Sequence, residues 1–356
     1  MKYRLLAILC LTGSLVYPCT DFVVETGDGT CINGRSMEFG QELRSSLIAH
    51  PRGEQRFTRG PSGKKTIKWT TKYGYVGADA FGLDTVVDGM NEAGLSIGVL
   101  LFPSAEYLTI SPKDEQKAMD YLDFASWILG NFSTAAEVKD AIQDIKVWGH
   151  PVTASKIQFP VHLAVHDPQG NNLVIEFIKG EMKVHENSIG VLTNYPPFDW
   201  MVINLQNYIN LSAANAAPID LKGTVLGGTG QGSGMYGIPG DWTPPSRFVR
   251  ITTFIRFAHQ APTALAGINL AEHLLNTVDI PIGVVREDDK NNSHEDYTQW
   301  ILIKDLNHKM IYFRSYKDLC LKSIDLSKVN FNPGAPRTSV RIDYEEGILD
   351  LSDKMK

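Results

Sequence analysis

The sequence has little cysteine, no excess of positive charge and a single long apolar run, and each shortage excludes a class of protein. Four cysteines among 356 residues are too few for a disulfide-stabilised scaffold. Lys and Arg number 34 against 40 Asp and Glu, for a net charge of -6, so the chain offers no electrostatic surface for nucleic acid. Hydrophobic residues make up 43% and charged residues 21%, as in an ordinary globular protein rather than a disordered chain.

The single long apolar run lies at the N-terminus, directly after a short basic segment. Residues 5–16 are mostly apolar, which is the pattern of a secretory signal and is too short for a bilayer span of about 20 residues. Residues 1–18 are therefore predicted to be a signal peptide or pro-segment. The mature protein is predicted to be exported to the periplasm or the extracellular space, without a membrane span.

Cys19 stands where such a mature chain could begin. Pro18 precedes it, an unusual context for signal cleavage, so two alternatives stay open: cleavage directly before Cys19, or earlier cleavage near Gly13 or Ser14 with later trimming. A cysteine at this place is also typical of bacterial lipoproteins, whose recognition sequence ends in a small residue that is absent here. A buried cysteine in a poorly placed signal is a further alternative.

Apolar periodicity and turn sequences predict strands, then helices, then strands again. This order is typical of antiparallel sheets covered by helices, so the prediction is an α+β fold in a single domain over residues 19–356. Ser133 is predicted to cap the second helix. The predicted strands are 22–25, 31–37, 47–49, 65–70, 85–90, 95–102, 161–165, 172–177, 181–185, 299–304 and 309–314, and the predicted helices are 117–130, 133–144, 200–212, 246–258 and 268–277.

A glycine-rich segment, residues 227–237, is the longest predicted loop. It lacks the Gly-Lys-Ser/Thr ending of a phosphate-binding loop, and no compact strand–loop–helix unit surrounds it in the sequence. The segment is instead predicted to be a flexible wall of a substrate pocket.

An exported hydrolase with a catalytic cysteine needs a base to take the thiol proton. None of the nine histidines lies in a local sequence that marks it as the partner. His162 and His166 are predicted as core or strand-edge residues, and no cluster has the spacing of a metal site. The alternative base is the α-amino group of the mature chain, whose pKa of about 7.7–8.0 leaves a neutral fraction near pH 7. A nucleophile activated by its own amine would explain a cysteine at the signal boundary.

Several segments, in order along the chain, are similar to those of one known family. From Cys19 to about residue 325 the sequence resembles the choloylglycine hydrolase family, which contains conjugated bile salt hydrolases and penicillin V acylases. Each segment alone is weak evidence for the resemblance, whereas five segments in the right order are specific to the family. The segments are Cys19-Thr-Asp-Phe22, Asn33-Gly-Arg-Ser-Met-Glu38, Asp88-Gly-Met-Asn-Glu-Ala-Gly-Leu95, Gly190-Val-Leu-Thr-Asn-Tyr-Pro196 and Gly237-Ile-Pro-Gly-Asp-Trp-Thr-Pro-Pro-Ser-Arg-Phe-Val-Arg250.

The resemblance implies the four-layer αββα sandwich of N-terminal nucleophile hydrolases and a catalytic set. Cys19 matches the nucleophile, and Arg35 matches the neighbouring arginine that favours its thiolate. Asn194 matches the amide that donates to the oxyanion, and Arg247 matches the second arginine of the network. Glu38 occupies the position of a carboxylate that accepts from the terminal amine. The implied reaction is amide hydrolysis through a thioester acyl-enzyme, without a metal or an organic cofactor, in a possible homotetramer.

Two positions depart from the family. The family usually has Asp where this sequence has Glu38, so the carboxylate is expected to reach the amine differently. The position of Leu101 is commonly Asn in bile salt hydrolases and Tyr in some penicillin acylases. The acyl pocket is predicted near Met37, Phe39, Leu101 and Trp242. Either the Leu101 backbone N–H serves the oxyanion and the side chain is free to vary, or this pocket differs from that of both groups.

The predicted function is therefore that of an exported cysteine amidase acting on a small amphipathic N-acyl amide. Candidate substrates are glycine- or taurine-conjugated bile acids, phenoxyacetyl penicillin and long-chain N-acyl homoserine lactones, and the signal sequence favours a penicillin V acylase-like activity. The alternative is a non-catalytic lipoprotein or binding module that keeps the fold. Cys31 and Cys320 are predicted to be inert, although an oxidising compartment would allow them to pair.

Overall fold

The computed structural model describes residues 18–152, 157–289, 292–345, 347–348 and 350–355, without the side chains of 287–294. The predicted leader therefore lies outside the described residues, except for Pro18. In the described part, the chain forms two large sheets, three small two-stranded sheets and five α-helices.

The strands are, in chain order, β1 (Cys19–Glu25), β2 (Cys31–Phe39), β3 (Ser46–His50), β4 (Gln55–Arg59), β5 (Lys65–Thr70), β6 (Tyr75–Ala78), β7 (Asp88–Asn91), β8 (Ser96–Leu101), β9 (Ala118–Asp120), β10 (Lys146–Trp148), β11 (Val161–His166), β12 (Asn172–Ile178), β13 (Glu181–Glu186), β14 (Val191–Leu192), β15 (Ile219–Leu221), β16 (Thr224–Leu226), β17 (Val285–Asp289), β18 (Asn292–Asp305), β19 (Met310–Ser315), β20 (Lys322–Asp325) and β21 (Thr338–Arg341). The helices are α1 (Tyr121–Asn131), α2 (Ala135–Ala141), α3 (Phe198–Asn204), α4 (Pro244–Phe257) and α5 (Ala264–Asn276).

The first sheet holds Cys19 near its centre. Its strands run in the order β14-β1-β2-β18-β19-β20, with β17 paired to β18. All of β2 is buried, because the strand has neighbours on both edges and further layers on both faces. In the β1–β2 register, Cys19 is opposite Met37 and Asp21 is opposite Arg35, so these four side chains share one face of the sheet.

The second sheet packs against that face of the first. Its strands run in the order β13-β12-β11-β8-β7-β6-β3-β21. Arg35 Nη2 of the first sheet donates to the Val99 carbonyl of the second (2.8 Å), and His166 of the second sheet lies 2.7 Å from Asp21 of the first. The space between the sheets therefore contains charged side chains as well as apolar ones.

Helices cover the two outer faces. Helices α4 and α5 contact strands of the first sheet, and α1 and α2 contact strands of the second. The succession helix, sheet, sheet, helix is a four-layer αββα sandwich, which confirms the predicted α+β class. Helix α5 shows the inward face of such a layer, with buried residues at helical spacing: Gly267, Ile268, Ala271, Leu274 and Leu275.

Most predicted elements are present, and the differences lie at their ends. Consecutive predicted strands are present and pair with each other as the hairpins β1–β2 and β18–β19 and the three-stranded meander β11–β12–β13. The strand predicted over 85–90 begins only at Asp88, and residues 79–87 form a connection instead. The helix predicted from residue 117 begins at Tyr121, because residues 118–120 form strand β9.

Two details of the helix predictions were wrong. Thr134 caps α2 by accepting from the Glu137 N–H, whereas Ser133 donates to the Glu137 carboxylate (3.0 Å). The helix predicted over 200–212 is α-helical only to Asn204 and continues as a short 3₁₀ turn to Tyr208.

Candidate active site

Cys19 lies at the start of β1, where the first sheet meets an apolar pocket. Only 1% of the residue is exposed, and its Sγ lies 3.9 Å from Met37 Sδ and 4.0 Å from the Glu38 carbonyl oxygen. The sulfur is therefore enclosed by β2 on one side. The main-chain nitrogen of Cys19 still carries Pro18 in this structure.

Asn194 and Arg247 hold the main chain of Cys19 from the other side. The Cys19 N–H donates to Asn194 Oδ1 (2.8 Å), and Arg247 Nη2 donates to the same oxygen (2.8 Å). Arg247 Nη1 also donates to the Cys19 carbonyl and to Thr20 Oγ1 (2.7 Å for the hydroxyl). Asn194 Nδ2 donates to the Leu101 carbonyl (2.7 Å). Three segments distant in sequence thereby fix the position of the first strand residue.

Arg247 reaches Cys19 from the first turn of α4. The helix begins with Pro244, a residue suited to a first turn because its fixed φ is helical and it has no N–H to satisfy. Arg247 Nε donates to the Trp242 carbonyl (2.8 Å), which ties the guanidinium to the segment before the helix. Burial lowers the pKa of Arg247 to about 10, with Glu38 opposing, so the side chain remains a cation at neutral pH.

Arg35 lies beneath the nucleophile, between the two sheets. Its side chain is fully buried, and its Nε is 3.6 Å from Asp88 Oδ2. Burial opposes its charge, but the negative groups around it, Cys19 first and then Asp88 and Asp21, raise the pKa of Arg35 above its usual value. The site therefore places a permanent cation on the face of the sheet that carries the Cys19 side chain.

Glu38 lies on the opposite face of β2. Neighbouring residues of a strand point to opposite faces, so Glu38 faces away from Arg35 and Met37. Its Oε1 accepts a hydrogen bond from Thr298 Oγ1 (2.8 Å), whereas the Cys19 N–H donates to Asn194. Burial raises the pKa of Glu38 to about 7, although the charge of Arg247 and the Thr298 hydrogen bond oppose this.

A buried set of charges continues from Arg35 into the interior. Lys304 of β18 contacts Asp88 of β7 through a short hydrogen bond, and His166 Nε2 lies 2.7 Å from Asp21 Oδ1. All five residues are at most 1% exposed. Burial opposes the ionisation of Asp21, but the charge and hydrogen bond of His166 lower its pKa. Arg35 is thus held among opposite charges that join the two sheets.

The pocket in front of Cys19 is almost entirely apolar. The space in front of Cys19 is about 690 Å³, counting the part open to solvent. Within the described part of the chain, its lining contains no charged side chain. The lining residues are Cys19, Met37, Phe39, Leu43, Ala80, Phe81, Leu83, Thr85, Val86, Val87, Val99, Leu101, Tyr121, Leu122, Phe159 and Val161.

Three of the four residues predicted near the pocket line it, and one does not. Met37, Phe39 and Leu101 belong to the lining. Trp242 does not: its indole N–H donates to the Asp279 carbonyl (3.1 Å), and its own carbonyl accepts a hydrogen bond from Arg247 Nε. The glycine-rich segment 227–237 is also outside the lining, beside the exposed hairpin β15–β16, so its prediction as a pocket wall was wrong.

Sequence reasoning missed two groups of residues around the site. One is the connection 79–87, which has no local signature. The other is Thr298 with Gln299, whose side chain binds the Phe39 and Gln41 carbonyls (2.9 and 2.7 Å) and the Leu43 N–H (3.0 Å). The sequence offered one indication, because Asp296-Tyr-Thr-Gln-Trp300 resembles a segment of the family, but the resemblance assigned no role to Thr298 or Gln299.

Other sites are not evident where the structure is described. Over these ranges no group of three or more His, Cys, Asp or Glu side chains is arranged to hold a metal ion. None of the described helices has both the length and the apolar character to cross a bilayer. Cys31 is buried and Cys320 is exposed, and both thiols are free. Burial raises the pKa of the Cys31 thiol to about 11, which makes it a poor nucleophile.

Comparisons with known proteins match the sequence and the fold. The family model of linear amide C–N hydrolases, choloylglycine hydrolase family, matches residues 19–342. A bile salt hydrolase/transferase from Clostridium perfringens is 34% identical over 90% of this chain and 96% of its own. A penicillin V acylase from Pectobacterium atrosepticum is 26% identical over 92% of this chain and 86% of its own.

Solved structures show the same architecture. The crystal structure of a variant of conjugated bile acid hydrolase from Clostridium perfringens superimposes with a TM-score of 0.82 and 29% identity, over 94% of this chain and all of that chain. Penicillin V acylase from Agrobacterium tumefaciens gives a TM-score of 0.74 at 24% identity, with 91% of each chain covered, a likeness of fold alone. The sandwich is therefore that of the N-terminal nucleophile hydrolases. With a family match over residues 19–342, the protein belongs to the choloylglycine hydrolase family of linear amide C–N hydrolases.

Proposed function

We propose that Cys19 is the nucleophile of an N-acyl amide hydrolase and that its own α-amino group is the base. The observation that carries the proposal is the position of Cys19, which borders the apolar pocket with its sulfur while its nitrogen is bound by Asn194. Removal of residues 1–18 would convert that nitrogen into a free amine in the same residue as the thiol. Such an amine has a pKa near neutrality and is suited to activate the nucleophile.

The proposed reaction has two halves. The Cys19 thiol gives its proton to the α-amino group, and the sulfur bonds to the amide carbonyl carbon. The C–N bond then breaks, and the departing amine takes that proton, which leaves a thioester. A water molecule then gives a proton to the α-amino group of Cys19 and attacks the thioester carbon. The C–S bond breaks, the carboxylic acid is released, and the α-amino group returns the proton to the sulfur, which restores the Cys19 thiol. No redox change occurs, and no cofactor is required.

Arg35 and Asn194 fit distinct parts of this reaction. Arg35 supplies a fixed positive charge that favours the thiolate. One N–H of the Asn194 side-chain amide donates to the Leu101 carbonyl. A carboxamide carries a second N–H, and we assign to it a hydrogen bond to the oxyanion. Arg247 holds the Cys19 carbonyl and keeps Asn194 oriented through its hydrogen bonds to both. Glu38, on the far face of β2, would act on the site through Arg247 rather than on the amine.

The apolar pocket favours a substrate with an apolar acyl group. Relatives with high coverage are named bile salt hydrolase/transferase and penicillin V acylase, so conjugated bile salts and penicillin V are the first substrates to consider, and long-chain N-acyl homoserine lactones the next. The uncharged lining supports an orientation with the acyl half inside the pocket and the polar amine half towards the solvent.

A turnover assay on four substrates tests the proposal. Purified mature protein is incubated with glycocholate, taurocholate, penicillin V and a long-chain N-acyl homoserine lactone, beside Cys19→Ala and Cys31→Ala variants. We expect release of at least one free amine by the wild type and by Cys31→Ala, and none by Cys19→Ala. Full activity of Cys19→Ala would refute the assignment. Absence of activity in all proteins would favour a binding module.

The mature N-terminus decides whether the base exists. We propose that the leader 1–18 directs export to the periplasm or the extracellular space and is removed before Cys19. Intact mass measurement of the active protein is expected to give a chain that starts at Cys19 with a free amine. An active chain that keeps Pro18, or a lipid on Cys19, would contradict the proposal.

We also propose that the protein assembles with further copies of itself, as a homotetramer. An exposed arm, residues 209–237, carries the hairpin β15–β16 and presents large apolar side chains to solvent, including Val225 and Tyr236, which are 69% and 93% exposed. Exposed apolar groups of this kind mark association surfaces. Light scattering is expected to give four times the chain mass, and Val225→Glu to reduce it; a monomeric wild type would contradict the proposal.

A further inference from the structure

The largest single contribution to the pocket comes from one connection, residues 79–87, called the pocket loop here. It joins β6 to β7, which are antiparallel neighbours, and such neighbours need only two to five residues between them. Loops longer than that commonly build binding sites. Six of its residues line the pocket: Ala80, Phe81, Leu83, Thr85, Val86 and Val87.

The tip of the pocket loop has an unfavourable backbone conformation. Phe81 and Gly82 both have positive φ, 58° and 67°. Glycine adopts this region freely, whereas a residue with a Cβ is strained there. The Phe81 ring is 38% exposed, and its centroid lies 5.6 Å from that of Phe39 and 6.3 Å from that of Phe159. A strained conformation with an exposed ring persists only when other contacts hold the loop.

Arg337 supplies such contacts from the other end of the chain. It directly precedes β21, which pairs with β3 at the edge of the second sheet. Its Nη1 donates to Asp84 Oδ1 of the pocket loop (2.9 Å). Its Nε and Nη2 donate to the two carboxylate oxygens of Glu54 (2.7 and 2.8 Å). One guanidinium therefore joins the C-terminal segment, the turn before β4 and the pocket loop.

The arrangement is stronger than an isolated surface ion pair. The bond to Glu54 is bidentate, which adds directional specificity to the charge attraction. Arg56 completes the network, with its Nη2 3.3 Å from Asp84 Oδ2 and its Nη1 3.8 Å from Glu54. Isolated exposed ion pairs contribute little to stability, whereas bidentate ion pairs in networks do contribute to it. Hydrogen bonding to Glu54 raises the pKa of Arg337, so its charge persists over the working pH range.

We propose that Arg337 is a positioning residue of the acyl pocket, which it shapes by holding Asp84 and with it the pocket loop. This inference rests on the proposed function, because it takes the pocket to be the acyl site. Arg337 touches neither Cys19 nor the pocket lining, so its loss should affect binding of the acyl group rather than the chemical steps. Through Arg337, the C-terminal segment thereby contributes to substrate specificity.

The test compares Arg337→Gln with a matched control, Arg341→Gln. Arg341 lies on the same segment, is about as exposed (48% against 35% for the side chains), and also binds a carboxylate, Asp343 of its own segment (2.9 and 2.8 Å). Its charge also attracts Asp79 at the start of the pocket loop, so Arg341→Gln controls for the loss of a positive charge near the loop without loss of the hydrogen bond to Asp84.

Asp84→Asn removes the negative charge of the Arg337–Asp84 pair from the loop side, and with it the charge that Arg56 also contacts. For Arg337→Gln and Asp84→Asn we expect KM to rise about five-fold, the value of one good ion pair, with kcat within two-fold. Arg341→Gln should match the wild type.

A second measurement needs no turnover. Hydrogen–deuterium exchange of the full protein is expected to show faster exchange of peptides covering 79–87 in Arg337→Gln and Asp84→Asn, and wild-type exchange there in Arg341→Gln. If no substrate is turned over, the proposed function fails while this measurement still tests the contact. Unchanged exchange in both variants, or equal acceleration in Arg341→Gln, would overturn the proposal. A kcat loss without a KM change would also overturn it.

Discussion

At the scale of single residues, the two faces of β2 separate the groups around the nucleophile. Arg35 and Met37 share the face of Cys19, and Glu38 points the other way, towards Thr298 and α4. The strand itself was predictable from its sequence, and strict alternation along it would have placed Glu38 on the far face. Its partner Thr298 was not predictable, because 260 residues separate the two and only the sheet order brings β18 beside β2.

Glu38 makes a prediction about the pH dependence of stability. Its pKa is about 7 in the folded protein against an ordinary value of 4.5, so the folded state keeps the proton to higher pH than the unfolded state. The free energy of unfolding therefore falls as pH rises from about 4.5 to about 7, by about 3 kcal/mol in total. Glu38→Gln lacks this titration. We expect the variant to equal the wild type at pH 4 and to exceed it at pH 8 in urea unfolding.

Thr298→Val provides the control for this interpretation. The variant loses the hydroxyl that donates to the Glu38 carboxylate, so the charged form is stabilised less and the pKa should rise further. The fall in stability should then extend above pH 7. Parallel pH profiles for the wild type and Glu38→Gln would show that Glu38 does not titrate in this range.

At the scale of elements, local patterns predicted the paired strands well and the pocket wall poorly. Hairpins such as β1–β2 follow from alternation and a turn sequence, both of which are local. The wall of the pocket depends instead on which connection the sheet order brings next to Cys19. The glycine-rich segment had the composition of a flexible wall, yet residues 79–87 form it, with an Asp-Ala-Phe-Gly-Leu sequence that has no distinctive composition.

The connection that carries Asn194 is held at both ends by buried polar groups of the second sheet. His162 Nε2 donates to the Thr193 carbonyl (2.8 Å), and Glu176 Oε1 accepts from the Phe198 N–H (3.0 Å). His162 and Glu176 are fully buried, and Glu176 Oε1 lies 3.3 Å from His162 Nδ1. His162 is thus the core residue that its sequence position predicts, with the further task of orienting a neighbour of Asn194.

Substitution of Glu176 tests that support. Glu176→Ala removes the acceptor of the Phe198 N–H and the partner of His162, so Asn194 should shift and kcat should fall about ten-fold or more, since small displacements of catalytic groups are costly. Glu176→Gln keeps an acceptor oxygen and should stay within about three-fold of the wild type. Steady-state kinetics on a turned-over substrate, with circular dichroism to confirm folding, measures both. An increase of KM alone in Glu176→Ala would contradict the prediction.

At the scale of the whole molecule, the two sheets are joined by charge as well as by apolar packing. Lys304 and Asp88 are 216 positions apart in the sequence, lie on different sheets and are completely buried. A lysine in a strand pattern predicts an exposed residue, so sequence reasoning had no means to find this pair. Periodicity predicted sheets covered by helices, and the resemblance to the family implied the four layers, whereas the contacts between layers depend on how the sheets are stacked.

Breaking this pair should destabilise the protein more than removing it. Lys304→Met leaves Asp88 charged in the interior with only Arg35 nearby at 3.6 Å, and the loss of one partner of a buried ion pair costs about 3–5 kcal/mol. The double variant Lys304→Met with Asp88→Asn removes both charges and leaves an amide oxygen that can accept from Arg35. Urea unfolding is expected to show a large loss for the single variant and recovery of about half of it in the double variant. Equal loss in both would mean that Lys304 contributes by packing, because the uncompensated charge is present only in the single variant.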